Sequence, residues 1–198
     1  MTRTLWIATR VTLLTLVLTG ILYPLLVTGL SQVFFPARAS GSLVTDDRGR
    51  VVGSELIGQG FSQPAYLQPR PSAAGDKGYD ALASGGSNLG TTSAKLQERV
   101  RVDLERLRRE NAGSGSPVPA ELLMASGSGL DPQLSPGAAL WQAVRIAQAR
   151  KVSVDRVRRL IDVNTEPRDF GLLGEPRVNV LLVNLALDRQ LGQPPRVR

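Results

Sequence analysis

Residues 11–37 contain no charged side chain, and Arg10 and Arg38 bracket the stretch. Its centre reads LLTLVLTGILYPLLVTGL, a continuous apolar block rather than an amphipathic stripe. A helix of this length crosses a hydrocarbon core of about 30 Å with some tilt. Each Leu, Ile or Val near the centre favours insertion by about 0.3–0.6 kcal/mol, which outweighs the Thr, Gly and Pro positions. The pattern predicts a short N-terminal segment over 1–10, a transmembrane helix over 11–35 and a domain over 40–198. Ala37-Arg38-Ala39 has the form of a signal-cleavage site, and Arg3 and Arg10 precede the apolar run. A secretory apolar region is only about 7–15 residues long, however, so a retained anchor is the better reading. Arg3 and Arg10 on one side nearly balance Arg38, Arg48 and Arg50 on the other, and the positive-inside rule leaves orientation undecided. Ala8, Thr12, Thr15 and Thr19 fall on one helical face. That seam fits close approach of a second helix, and it equally fits hydroxyls bonded back to their own helix.

Beyond the span the periodicity changes. Leu43-Val44-Thr45, a turn at Asp46-Asp47-Arg48-Gly49 and Arg50-Val51-Val52 read as a short β-hairpin, with Glu55-Leu56-Ile57-Gly58-Gln59 able to extend it. Residues 63–90 are rich in Pro and Gly, too long for a simple connection, and the presence of Tyr66 and Tyr79 predicts an ordered surface. Thr92 or Ser93 caps a helix with Leu96, Val100, Leu104 and Leu107 on one face and the pairs Asp103/Arg106 and Glu105/Arg109 on the other. The charge run RVRVDLERLRRE is then the solvated face of that helix, and Gly113-Ser114-Gly115-Ser116 closes it in a loop. A short helix from Pro119 through Met124 follows. Ser135 caps a longer one, with Pro136 at its first position and Leu140, Trp141, Val144 and Ala147 inward. Ser153 caps another, with Val154, Val157 and Ile161 inward and Arg156, Arg158 and Arg159 outward. Residues 177–191 form an apolar run whose length favours a buried helix. The fold class is therefore a single N-terminal transmembrane helix plus a helix-rich mixed α/β (α+β) domain with a small sheet.

Composition narrows the chemistry. The chain has neither cysteine nor histidine, which removes disulfides, thiolate metal sites, the commonest metal ligand and every Ser-His or Cys-His nucleophile pair. No catalytic residue and no metal site is expected. The formal charge of +7 comes with interleaved acidic residues and only 5% aromatics, a pattern that fits an anionic lipid surface or an acidic partner better than a nucleic acid. Two Gly/Ser loops stand out, Ser84-Gly85-Gly86-Ser87-Asn88-Leu89-Gly90 and Ser126-Gly127-Ser128-Gly129-Leu130-Asp131. Gly-rich loops can turn amides toward a phosphate, but neither has the G-x-x-x-x-G-K-[ST] form. Phosphate binding and tight packing turns both fit these residues. Asp131 has no acidic neighbours at ligand spacing and reads as a turn cap, and Glu175 and Asp188 are too far apart in sequence to be read as an acid/base couple.

The segments YDALASGGSNLGTTS, ELLMASGSGLDPQLSPGAALWQAVRIAQAR and GEPRVNVLLVNLALD, with GSELIGQGF and the following RPSA, closely resemble the C chain of the bacterial Kdp-type potassium-transporting ATPase. The similarity covers nearly the whole chain. Thr91 and Ser93 replace the Pro and Asn usual after SGGSNLG, and Gln133 replaces a frequent His after GLDP. The resemblance implies a non-catalytic accessory subunit of a high-affinity, ATP-driven potassium uptake complex in the bacterial inner membrane. Its implied partners are a channel-like potassium-binding subunit, a P-type ATP-hydrolysing subunit and a small membrane peptide. The implied topology is single-pass, with the N-terminus cytoplasmic and the C-terminal domain extracytoplasmic. Two roles follow: for a single-span chain with no hydrolytic site, which must act through partners, docking that stabilises assembly and limits access to the ion entrance; and, implied by the resemblance, raising the nucleotide affinity of the ATP-hydrolysing subunit as a catalytic chaperone. In the second role Ser84, Gly85, Gly86, Ser87 and Asn88 would face a nucleotide held jointly with that subunit, no cofactor being tightly bound by this chain alone. That role conflicts with the topology, because ATP is confined to the cytoplasm. The rival reading is a generic membrane-anchored binding or scaffold protein unrelated to transport.

Overall fold

The computed structural model describes residues 1–115 and 117–194, so Ser116 of the loop read above and the last four positions lie outside it. The chain divides into two units, Met1–Leu43 and Val44–Arg198.

In the first unit α1 (Thr2–Val17), a π turn (Leu18–Leu22) and α2 (Tyr23–Phe34) form one helix of 33 residues with no buried side chain, and α3 (Pro36–Ala39) follows. Nothing in residues 2–10 breaks a helix, so the apolar helix reaches back through Arg10 and Arg3. The π turn has a cause. Pro24 has no N–H for the Gly20 carbonyl and its ring crowds that carbonyl. The helix widens there, and the Tyr23 amide reaches back to Leu18 O. On the expected small-residue seam, Thr15 Oγ1 donates to Val11 O (2.9 Å) and Thr19 Oγ1 to Thr15 O (2.7 Å). These hydroxyls are bonded within their own helix.

The second unit opens with the expected hairpin, β1 (Leu43–Thr45) and β2 (Val51–Ser54). Asp46 organises its turn by accepting from the Arg48 and Arg50 amides, both at 2.9 Å. Residues 55–59 do not extend this sheet. They turn back at Ser54 and Ile57, and the Gly58 amide donates to Leu130 O at 2.7 Å. After the irregular segment, α4 (Ala94–Glu110) starts at Ser93, whose Oγ accepts from the Leu96 amide. Its inward face is shallow: Leu107 is buried, and Leu96, Val100 and Leu104 are half-buried. Asp103 pairs with Arg106 as expected, but Glu105 turns to Arg101 (3.3 Å) in place of Arg109.

A single 3-10 turn (Ala120–Leu122) stands where a short helix was expected. The helix capped by Ser135 is interrupted at Gln142, giving α5 (Pro136–Trp141) and α6 (Ala143–Arg150). In α7 (Val154–Val163) Ser153 makes no side-chain cap bond. Asp155 in the first turn supplies favourable charge at that helix end instead. The apolar run over 177–191 is not all helix. Its first residues form β5 (Arg177–Asn179), the centre of a second antiparallel sheet with β3 (Gln133–Leu134) and β4 (Thr165–Glu166), and Asn179 then caps α8 (Val180–Leu191). Two small sheets therefore replace the one expected. Helices α5 to α8 enclose the core around Leu134, Ile146, Val157, Ile161, Val183 and Leu187.

Candidate functional site

Residues 61–74 carry no regular structure, yet Ala65, Leu67 and Ala74 are buried. A backbone buried without a strand partner needs other hydrogen-bond partners. Here the helices provide them through side chains. Asn184 of α8 accepts from the Leu67 amide (2.7 Å) and donates to its carbonyl (3.0 Å). Gln142 accepts from the Gln68 amide (2.9 Å) and donates to its carbonyl (3.0 Å). Arg145 donates to Pro64 O (2.8 Å), Tyr66 O (3.1 Å), Asn111 Oδ1 (3.0 Å) and Gln142 Oε1 (2.6 Å). Arg150 donates to Ala65 O (2.8 Å) and pairs with Asp188 (2.7 Å), while its guanidinium lies 5.0 Å from the Tyr66 ring centroid. The Pro-rich segment is thus a strap pinned along α6 and α8.

Burial sets the electrostatics of the strap. Desolvation pulls the Arg145 guanidinium down to about 10, since its hydrogen-bond partners are neutral. Tyr66 is pushed up to about 12, first by burial and then by its hydroxyl's 2.9 Å bond to Asp188. Tyr79, whose hydroxyl donates to Arg70 O, also rises to about 12 through burial.

Beside the strap, the segments singled out in the sequence converge on the loop at 126–131. Ser72 Oγ donates to Gly129 O (2.6 Å) and accepts from the Ala74 (3.1 Å) and Tyr79 (2.7 Å) amides. Arg70 pairs with Asp131 at 3.0 Å, and Asp131 also caps its own turn by accepting from the Gln133 amide. The Gly85 amide and the Ser84 hydroxyl both donate to Ser128 O, at 2.8 and 3.1 Å. Asn179 Nδ2 donates to Glu55 O at 2.8 Å, bringing GEPRVNV against GSELIGQG. The contact requires glycine at position 129, where φ is +68°. A Cβ there would lie 2.6 Å from Gly85 O and 2.7 Å from the Ala74 amide nitrogen. The two Gly/Ser loops are packed on each other.

Of the nucleotide-facing candidates, Ser84 and Gly85 therefore hold Ser128, while Gly86 lies against Gly127, with 3.1 Å between its would-be Cβ and Gly127 O. Asn88 is exposed with φ +51°. Asn88, the last of these residues, lies five positions before the Ser93 cap, so their amides are not those of the α4 N-terminus. Glu175 and Asp188 are not brought together as a pair: one binds Arg168, the other Arg150 and Tyr66. Among the described residues no group of three or more Asp or Glu is placed to hold a metal ion. Sequence reading missed Gln142, Arg145, Arg150 and Asn184. The signal was present for three of them, as polar residues inside otherwise apolar helical stretches, AALWQAVRIAQA and VLLVNLAL.

This geometry is that of a surface held in one shape rather than of a reaction centre. The family model for KdpC, the c chain of the K+-transporting ATPase, matches residues 5–189. A potassium-transporting ATPase KdpC subunit from Myxococcus xanthus is 62% identical over 188 residues, 95% of this chain and 89% of that protein. Its counterpart in Gemmatimonas aurantiaca is 52% identical over 181 residues, covering 91% and 90%. One from Koribacter versatilis is 48% identical over 183 residues, covering 92% and 93%. A match of this length and identity shows that the chain belongs to the KdpC family, the c chain of the K+-transporting ATPase.

Proposed function

We propose that the domain from residue 44 onward works by docking on the outer, extracytoplasmic face of a potassium-transporting ATPase, against its channel-like subunit. Family membership makes the chain the non-catalytic accessory subunit of that complex, which sets aside the generic scaffold reading. The observation that carries the docking role is the strap. Gln142, Arg145, Arg150 and Asn184 are all engaged in fixing residues 64–68 in one conformation. A preorganised surface lowers the ordering cost of association, and that is what a subunit acting through contact requires. The helix Thr2–Phe34 has the length and composition to cross a bilayer once and would hold the domain close to its partners. In this reading the N-terminus is cytoplasmic, residues 11–35 lie in lipid, and the domain stabilises assembly and limits access to the ion entrance.

A nucleotide contact through Ser84, Gly85, Gly86, Ser87 and Asn88 would act only jointly with the ATP-hydrolysing subunit. The engagement of Ser84 and Gly85 with Ser128 favours a packing role for that loop. The test is removal of residues 40–198 while the helix is kept. Complex yield or potassium affinity should fall; normal assembly and unchanged transport would overturn the docking reading.

A further inference from the structure

Between β4 and β5 the chain makes a long hairpin over residues 167–176. Asp169 and Leu173 exchange backbone bonds, both 2.9 Å, and so close a tight tip. Phe170 at this tip is 94% exposed, Leu172 81% and Leu173 62%. Phe170 also has φ +55°, followed by Gly171 at +74°. An aromatic residue in the left-handed region is strained by about 1–2 kcal/mol. The isolated domain therefore holds a strained phenylalanine that gains no burial in return. Single exposed apolar residues are ordinary; three within four positions on a braced tip are not.

The stem determines what the tip can meet. Arg168 pairs with Glu175 at 2.6 Å, and Arg177 with Glu166 (2.8 Å) and Asp169 (3.2 Å). Three carboxylates thus answer two guanidiniums, and both cations are engaged within the hairpin. An anionic lipid surface would want free cations around an apolar wedge. A stem with both cations engaged and one carboxylate in excess, under an aromatic and aliphatic tip, instead fits a preformed apolar pocket in a polypeptide with a neutral to basic rim. Aromatic side chains such as Phe are enriched in the buried core of interfaces, and Leu172 and Leu173 would extend that apolar contact.

We infer that Phe170, Leu172 and Leu173 form the anchor by which this domain seats in an apolar pocket of another polypeptide of the same complex. This rests on the docking reading above. The test uses full-length chain co-expressed with the rest of the complex, comparing Phe170→Gly and Leu172→Ser with Leu82→Ser, a control at a 98% exposed loop position. The two tip variants should lower the fraction of chain retained through detergent purification by about tenfold or more. Leu82→Ser should leave it unchanged. Phe170→Gly relieves the positive-φ strain, so the variant chain alone should melt no lower than the natural one, which separates lost docking from lost folding. Retention unaffected by either tip variant overturns the anchor while the docking reading stands. Failure of the unmodified chain to co-purify overturns the docking reading itself. A photo-crosslinking amino acid at position 172 decides the occupant: an adduct with another subunit supports the inference, and an adduct with lipid alone overturns it.

Discussion

Asn184 grips Leu67 through both backbone groups, accepting from its amide at 2.7 Å and donating to its carbonyl at 3.0 Å. Gln142 does the same for Gln68. One amide on α8 and one at the α5–α6 junction thereby substitute for a neighbouring strand, and Leu67 is fully buried with its polar backbone satisfied. Replacing Asn184 by Ala would leave an amide and a carbonyl buried without partners, each costing about 1–3 kcal/mol. Asn184→Ala should lower the denaturant midpoint of the full-length chain in detergent by the equivalent of about 2–4 kcal/mol. Asn184→Asp puts a buried carboxylate oxygen against the Leu67 carbonyl, so near neutrality it should destabilise at least as much as Asn184→Ala, and acid, by protonating it, should restore part of the loss. Equal stability of both variants with the natural chain would refute the pairing.

Arg145 is the second pin, and it discriminates geometry from charge. Its planar fork reaches Pro64 O, Tyr66 O, Asn111 and Gln142 together, which a lysine ammonium cannot reproduce. Arg145→Lys should therefore destabilise the domain by about 2–4 kcal/mol despite keeping the charge. Limited proteolysis offers a local readout, with new cleavage expected within residues 61–74 before the helices are cut.

What the sequence announced and what it hid follow one physical line. Ser93, and Ser135 with Pro136, announce helix starts because a cap and its partner amide lie three residues apart. The apolar block of the first helix needs no partner to be recognised. By contrast β3 and β4 are two residues each, and both pair only with β5, which lies far along the chain from β3 and across the irregular hairpin 167–176 from β4. No local period marks such strands. Val178 and Val180 read as one apolar run, although Asn179 between them ends a strand and caps a helix. The strap was legible as ordered surface, but its partners are side chains more than 70 residues away in sequence. The Gly/Ser loops were visible as loops, and their mutual packing depends on Gly129 at positive φ, which composition alone does not reveal.

Alkaline pH should loosen the domain. Tyr66 and Tyr79 each have a folded pKa near 12 against an ordinary value of 10.0. A phenol whose pKa rises on folding contributes stability that is complete below pH 10 and is lost as pH climbs through about 12. Arg145, lowered to about 10, acts oppositely in the same range, because the unfolded chain binds its proton more tightly. The contribution of Tyr66 is isolated by difference. Tyr66→Phe should lose about 1 kcal/mol near neutrality with its Asp188 bond, and the gap to the natural chain should close between pH 10 and 12. Thermal melts across that range, with phenolate absorbance followed in parallel, check it.

The loop contact at Gly129 separates a packing role for residues 84–88 from a nucleotide role. Gly129→Ala forces a Cβ against Gly85 O and the Ala74 amide and strains a backbone at φ +68°. Neither contact is the far end of a flexible side chain, so the loops must move apart, at a cost of about 1–3 kcal/mol. Ser84→Ala removes only a hydroxyl bond to Ser128 O and should cost about 1 kcal/mol or less. If the loops serve packing, the effect on complex yield should follow stability, with Gly129→Ala severe and Ser84→Ala mild. If Ser84 faces a nucleotide, Ser84→Ala should weaken the ATP dependence of transport while leaving the melting temperature in place. Measuring yield, melting temperature and ATP dependence on the same two variants distinguishes these outcomes. The expected ordering is loss with Gly129→Ala in yield and stability together, and an ATP dependence unchanged by Ser84→Ala.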